Sequence, residues 1–204
     1  MRPRRNSWLA ALFVTATLAL AACGSGSSSS TAPSSTTTES TTTLAPTTTT
    51  TVDPGTLPQT DEKPTGTGPE FTARMQLLAD AIINNTPDSA ISTFFPVTAY
   101  QQTKKLPNPA ADWNSRLIKS FREDVTAANK LLGPNAKNAV FTGVTVPATA
   151  TWVKPGEEYN LGPYWRVYKT QMNFTVDGKN VQIPIESMIS WRGQWYVVHL
   201  GKIR

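Results

Sequence analysis

The sequence predicts an α+β domain in which three helices precede a four-stranded antiparallel sheet, and two observations carry that expectation. Apolar residues recur at helical spacing between Phe71 and Leu132, and from Val140 onward the period changes from about 3.6 to 2. A third observation places the domain: the stretch before it, Gly24–Pro69, is low in complexity and almost free of large apolar side chains.

The helices follow in order. Gly68-Pro69 puts proline at a first helical position, and Phe71, Met75, Leu78 and Ile82 then form one stripe that Asn84-Asn85 ends. Thr86-Pro87 restarts the chain into a short helix with Ile91, Phe94 and Phe95. Pro96 breaks it and opens a further turn carrying Tyr100. Asn108-Pro109 repeats the cap-then-proline device. The third helix sets Trp113, Leu117, Phe121, Val125, Ala128 and Leu132 on one side, and Gly133-Pro134 stops it.

The strands come next. A first strand runs from Val140 to Trp152, with Val140, Val144, Val146, Ala148, Ala150 and Trp152 on one face. A second covers 165–176. Asp177-Gly178 is a hairpin turn leading into a third strand with Val181, Ile183, Ile185, Ile189 and Trp191 on one face. Pro184 marks an edge or a bulge in it. Arg192-Gly193-Gln194 turns the chain into Trp195–Leu200. Alternation there places His199 on the face of Trp195 and Val197. A sheet that curves around the helices completes the plan.

The N-terminal part reads as an address. Arg2, Arg4 and Arg5 precede an apolar run from Trp8 to Ala22, the pattern of a secretory signal; at about 15 residues the run falls short of the roughly 20 that span a bilayer. Asn6-Ser7 lacks the apolar residues that would follow a twin-arginine pair, so ordinary export is expected. Leu20-Ala21-Ala22-Cys23 resembles the lipobox of bacterial lipoproteins. That resemblance implies lipid modification of Cys23 as the mature N-terminus, on the outer face of the cell membrane. The expected organisation is a signal peptide at 1–22, a lipid-anchored linker at 23–69 and a folded domain at 70–204.

Of the 46 residues from Gly24 to Pro69, 35 are Ser, Thr, Pro or Gly. Such a segment buries too little to offset its ordering entropy and is expected to be a disordered tether, with a coil reach of roughly 35–40 Å. Lipobox and stalk together look like envelope lipoproteins of high-GC Gram-positive bacteria. The formal charge of +5 includes three signal arginines, and an acidic linker offsets part of the rest. The mature chain is therefore only mildly basic, too diffuse for nucleic-acid binding. With the single cysteine assigned to the anchor, neither a disulfide nor a cysteine metal site is expected.

The ending Ser190-Trp191-Arg192-Gly193-Gln194-Trp195-Tyr196-Val197-Val198-His199-Leu200, with the helices-then-meander order, is similar to the NTF2-like (SnoaL-like) superfamily. The resemblance covers roughly residues 70–204 and implies a cone-shaped fold that hosts enzymes, ligand binders and partner domains alike. It also implies a homodimer through the open sheet face.

Chemistry-bearing patterns are sparse. His199 is the single histidine and the candidate for a general base, with Glu186 to orient it. One histidine and scattered acids do not make a zinc site, and no G-x-S-x-G, P-loop or dinucleotide fingerprint is present. Glu157-Glu158 reads as a solvated hairpin tip. No cofactor is expected. Trp165, Tyr164, Tyr168 and Trp195 put large rings on both faces of the sheet, which fits either an internal pocket or an exposed patch for a partner. These residues and His199 are the binding candidates. The expected function is a membrane-anchored binding module for a partner protein, a wall component or a small apolar ligand. The alternatives are a cofactor-independent enzyme using His199, or an envelope spacer.

Overall fold

The computed structural model describes residues 52–201, so Cys23 and the apolar run before it lie outside the described residues. Among the described residues, four α-helices precede a five-stranded antiparallel sheet, and the α+β class holds. The helices are α1 (Pro69–Asn84), α2 (Val97–Thr103), α3 (Pro109–Asp112) and α4 (Ile118–Leu131). The strands are β1 (Val140–Thr145), β2 (Thr151–Val153), β3 (Tyr164–Val176), β4 (Lys179–Trp191) and β5 (Gln194–His199). Within them no helix is long and apolar enough to cross a membrane.

The expected first and third helices are found, and the second differs in kind. In α1 the stripe of Phe71, Met75, Leu78 and Ile82 is buried, and Asn85 ends the helix in the left-handed region at φ 53°. The expected second helix is a 3₁₀ helix, Pro87–Thr93, after which Phe94 and Phe95 run extended against β5; the Phe95 N–H donates to Val197 O at 2.9 Å. The expected third helix begins at Asn108, whose Oδ1 accepts from the Ala111 N–H at 3.0 Å. One π turn, Trp113–Leu117, interrupts it between α3 and α4. Its stripe is buried throughout, and Phe94 packs on Phe121 with ring centroids 5.2 Å apart. Each such ring or branched side chain contributes about 1.5–3 kcal/mol by leaving water.

The sheet order is β1-β3-β4-β5, with β2 pairing β3 beyond β1. Three expectations fail here. The single first strand is two, because the chain leaves the ladder over 146–150, where Pro147 has no N–H to donate. A bulge between Phe141 and Gly143 also shifts its phase. Phe141 therefore packs on Phe174, at 5.5 Å between centroids, while Val140 stays 61% exposed and does not share the face of Val144.

The third failure concerns His199. Met188 pairs with Val197 but Ser187 pairs with His199, so Val198 is an extra residue in β5. One extra residue reverses the alternation. His199 thus shares a face with Ser187, Ile189 and Tyr196, opposite Trp195 and Val197. Pro184 falls in the half of β4 beyond the end of β5, where a missing N–H is tolerated at an edge, as its position suggested.

The last stretch of the low-complexity segment is laid against the domain rather than free of it. Asp53 accepts from Thr98 Oγ1 on α2 at 2.7 Å, and Trp191 Nε1 donates to Pro54 O at 2.8 Å. Farther along, Arg192 Nη1 donates to Pro58 O and Trp165 Nε1 to Asp61 O, at 2.6 and 2.9 Å. Pro64 is buried. Composition measures how much a segment can bury by itself; residues 53–64 are instead held by groups the domain presents to them. The ordered unit therefore starts before the expected boundary at Glu70.

Candidate functional site

Packing of α2 and the π turn over one face of β3, β4 and β5 leaves a cavity of about 270 Å³. Phe94, Phe95, Leu117 and Ile189 supply apolar walls. Alternation along β3 puts Tyr164, Arg166 and Tyr168 on it, and Glu186, Ser187 and His199 line it from β4 and β5. Lys104, at the end of α2, and Arg116, in the π turn, complete the polar part.

The loop 154–162 forms one wall because it is tied to α2. Lys105 N–H donates to Tyr159 O at 2.8 Å and Leu161 N–H to Thr103 O at 2.7 Å. Glu158, held at φ 51°, ion-pairs with Arg166 and accepts from the Tyr164 hydroxyl at 3.2 Å. The tip is exposed as expected, but Glu158 also faces the cavity through these contacts. Asn160, 2% exposed, accepts from Lys104 Nζ at 2.5 Å and donates to the Tyr164 hydroxyl at 2.8 Å.

A second network backs the π turn. Tyr100 donates its hydroxyl proton to Asp112 Oδ2 at 2.7 Å, and Arg116 grips the same carboxylate with Nε and Nη2 at 2.7 and 2.6 Å. The Arg116 hydrogen bonds hold Asp112 below the usual carboxylate range, and burial raises the Tyr100 phenol. Burial also pushes the Lys104 ammonium down, aided by the charges of Arg166 and Arg116.

His199 is exposed at one edge, yet the surrounding protein removes enough water to hold its imidazole below 6.5. The charge of buried Asp124 on α4 opposes that shift most strongly, followed on the same side by Glu186. The base candidate and its carboxylate thus share the cavity, while the stronger acidic influence comes from a helix.

Four of the candidates meet here: Tyr164, Tyr168, His199 and Glu186. Trp165 and Trp195 do not line it. Trp165 packs at a tilt on Trp152, lies under Lys63 and donates to Asp61, so the chain's own N-terminal segment occupies it. Trp195 is buried on the opposite face beside 144–150 and residues 63–67. The excess of rings on two faces is explained by two coverings, the helices and this segment. Sequence reading missed Lys104, Arg116, Arg166 and Asp124. Arg166 was within reach, since it shares parity with Tyr164 and Tyr168; the helical residues carried no signal that points to a sheet cavity.

Comparison with known proteins finds no match for this chain among family models, curated proteins or solved structures.

Proposed function

We propose that this protein is a lipid-anchored binding module on the outer face of the cell membrane, holding a small molecule in the cavity between α2, the π turn and the sheet. The domain belongs, in this reading, to the NTF2-like cones, and Cys23 carries the anchor. One observation bears most of the weight: apolar walls and several polar side chains from six separate segments converge on one concave space. A small ligand is favoured over a partner protein because residues 53–64 already cover the tryptophans that would otherwise form an exposed patch.

The test is native mass spectrometry of the protein purified from the membrane of an exporting host. An adduct that leaves on denaturation, and is absent from Ser187→Trp, supports the reading. An adduct retained by that cavity-filling variant overturns it. Loss of a palmitate label in Cys23→Ala checks the anchor separately.

The pairing of His199 with the charge of Asp124 favours a second reading, in which the imidazole acts as a general base without a cofactor. In that case His199→Ala abolishes turnover of the bound molecule while the melting temperature stays nearly constant. Turnover that survives the substitution sinks this alternative.

A further inference from the structure

Given that the cavity is a ligand site, we propose that its ligand is a small organic acid, with an apolar body against Phe94, Leu117 and Ile189 and an anionic oxygen group on Lys104 and Arg166. The inference rests on an accounting of charge. Arg116 is neutralised by Asp112, and Arg166 ion-pairs with Glu158 through Nη1. Among the described residues Lys104 meets no carboxylate. Its Nζ reaches Asn160 Oδ1 at 2.5 Å, and at 3.5 Å the Glu158 carbonyl and the Tyr164 hydroxyl, all uncharged. It also stands 5.6 Å from the Tyr164 ring centroid.

An ammonium taken partly out of water beside two guanidinium groups is unfavourable unless an anion joins it. A second donor waits nearby: Arg166 Nε is buried and finds no acceptor among the described residues. The Arg166 guanidinium lies 4.6 Å from the Tyr168 ring centroid, which fixes its plane. The two acids of the cavity do not cancel this arrangement. Glu158 is engaged by Arg166 and Tyr164, and Glu186 is exposed, as is His199. A space of about 270 Å³ suits a body of roughly a dozen non-hydrogen atoms, such as one aromatic ring with its substituents.

The experiment compares two isosteric probes, 4-fluorobenzoate and 4-fluorobenzamide, by ¹⁹F NMR on the full-length Cys23→Ser chain, which cannot be lipidated. The expected result is affinity for the acid at least about tenfold above that for the amide. Lys104→Gln keeps a donor toward Asn160 and should reduce the acid to the level of the amide, whereas Lys104→Arg should retain the preference. The wild-type ratio needs no variant, so it decides the matter even where Lys104→Gln does not fold. Equal binding of acid and amide overturns the charge inference and leaves the cavity a ligand site. Binding of neither, with no perturbation of the His199 ring signals, overturns both.

Discussion

Gln59 and Ser190 stand 131 positions apart in sequence, yet Gln59 Nε2 donates to Ser190 O at 2.9 Å. The same amide also donates to Pro163 O at 3.3 Å, while its oxygen accepts from the Arg192 N–H at 2.6 Å. One side chain therefore satisfies backbone groups just before β3 and on the β4 side of the sheet's closing turn. Gln59→Ala takes this partner from two carbonyls and an N–H and should cost about 1–3 kcal/mol. Urea unfolding with an unchanged slope is the measurement; a loss below a few tenths would mean water replaces the amide freely.

Shortening the chain to begin at Pro69 should be more damaging. It removes the acceptors of Trp165 and Trp191 and exposes apolar surface that Pro64 and its neighbours cover. The expected outcome is a lower melting temperature and red-shifted tryptophan emission relative to a chain beginning at residue 52. Identical melting curves would show that the segment adds nothing to the folded unit.

Gly193 combines two constraints. Its φ is 71°, and an added Cβ would lie 2.6 Å from the Glu62 carboxyl. Gly193→Ala should destabilise by about 1–2 kcal/mol from backbone conformation alone. Adding Glu62→Ala should recover the part due to collision with the side chain and leave the backbone part. Full recovery would place the whole effect in the collision.

The lowered pKa of His199 makes a pH prediction with a definite sign. Above about pH 6.5 the ring is neutral in both states and contributes nothing. As the pH falls through that value the unfolded chain takes the proton first, so stability declines until the folded imidazole is protonated too. His199→Gln should flatten this decline in melting temperature between about pH 7 and 5. A variant curve parallel to wild type would assign the decline to other groups.

Asp112 works in the opposite direction. Its folded carboxylate, held low by Arg116, contributes stability above its ordinary value of 3.8 that is lost as acid protonates it. Because Arg116 remains largely exposed, Asp112→Asn should cost no more than about 1 kcal/mol at neutral pH. The difference between wild type and variant should disappear in strong acid. A penalty that persists there would be steric rather than electrostatic.

Local sequence determined much of this protein. Proline at Pro69, Pro87 and Pro109, and the stripes from Phe71 to Ile82 and from Trp113 to Leu132, define helical segments through neighbours three and four positions away. Asp177-Gly178 and Arg192-Gly193 turn the strands because positive φ is a local requirement, met here at 47°, 76°, 51° and 71°. The apolar parity of Ile183 and Ile185 is equally local.

Tertiary structure decided the rest. The extra residues at Thr142 and Val198 depend on which partner strand each ladder bond finds, so alternation alone put Val140 and His199 on the wrong faces. Residues 53–64 bury little of their own, and only the indole N–H groups and open carbonyls of a finished domain give them a fixed course. The cavity joins Lys104 and Arg116 from the helical half to Arg166 and His199 from the sheet. No periodicity in either half specifies the other, so that juxtaposition exists only once the two layers pack.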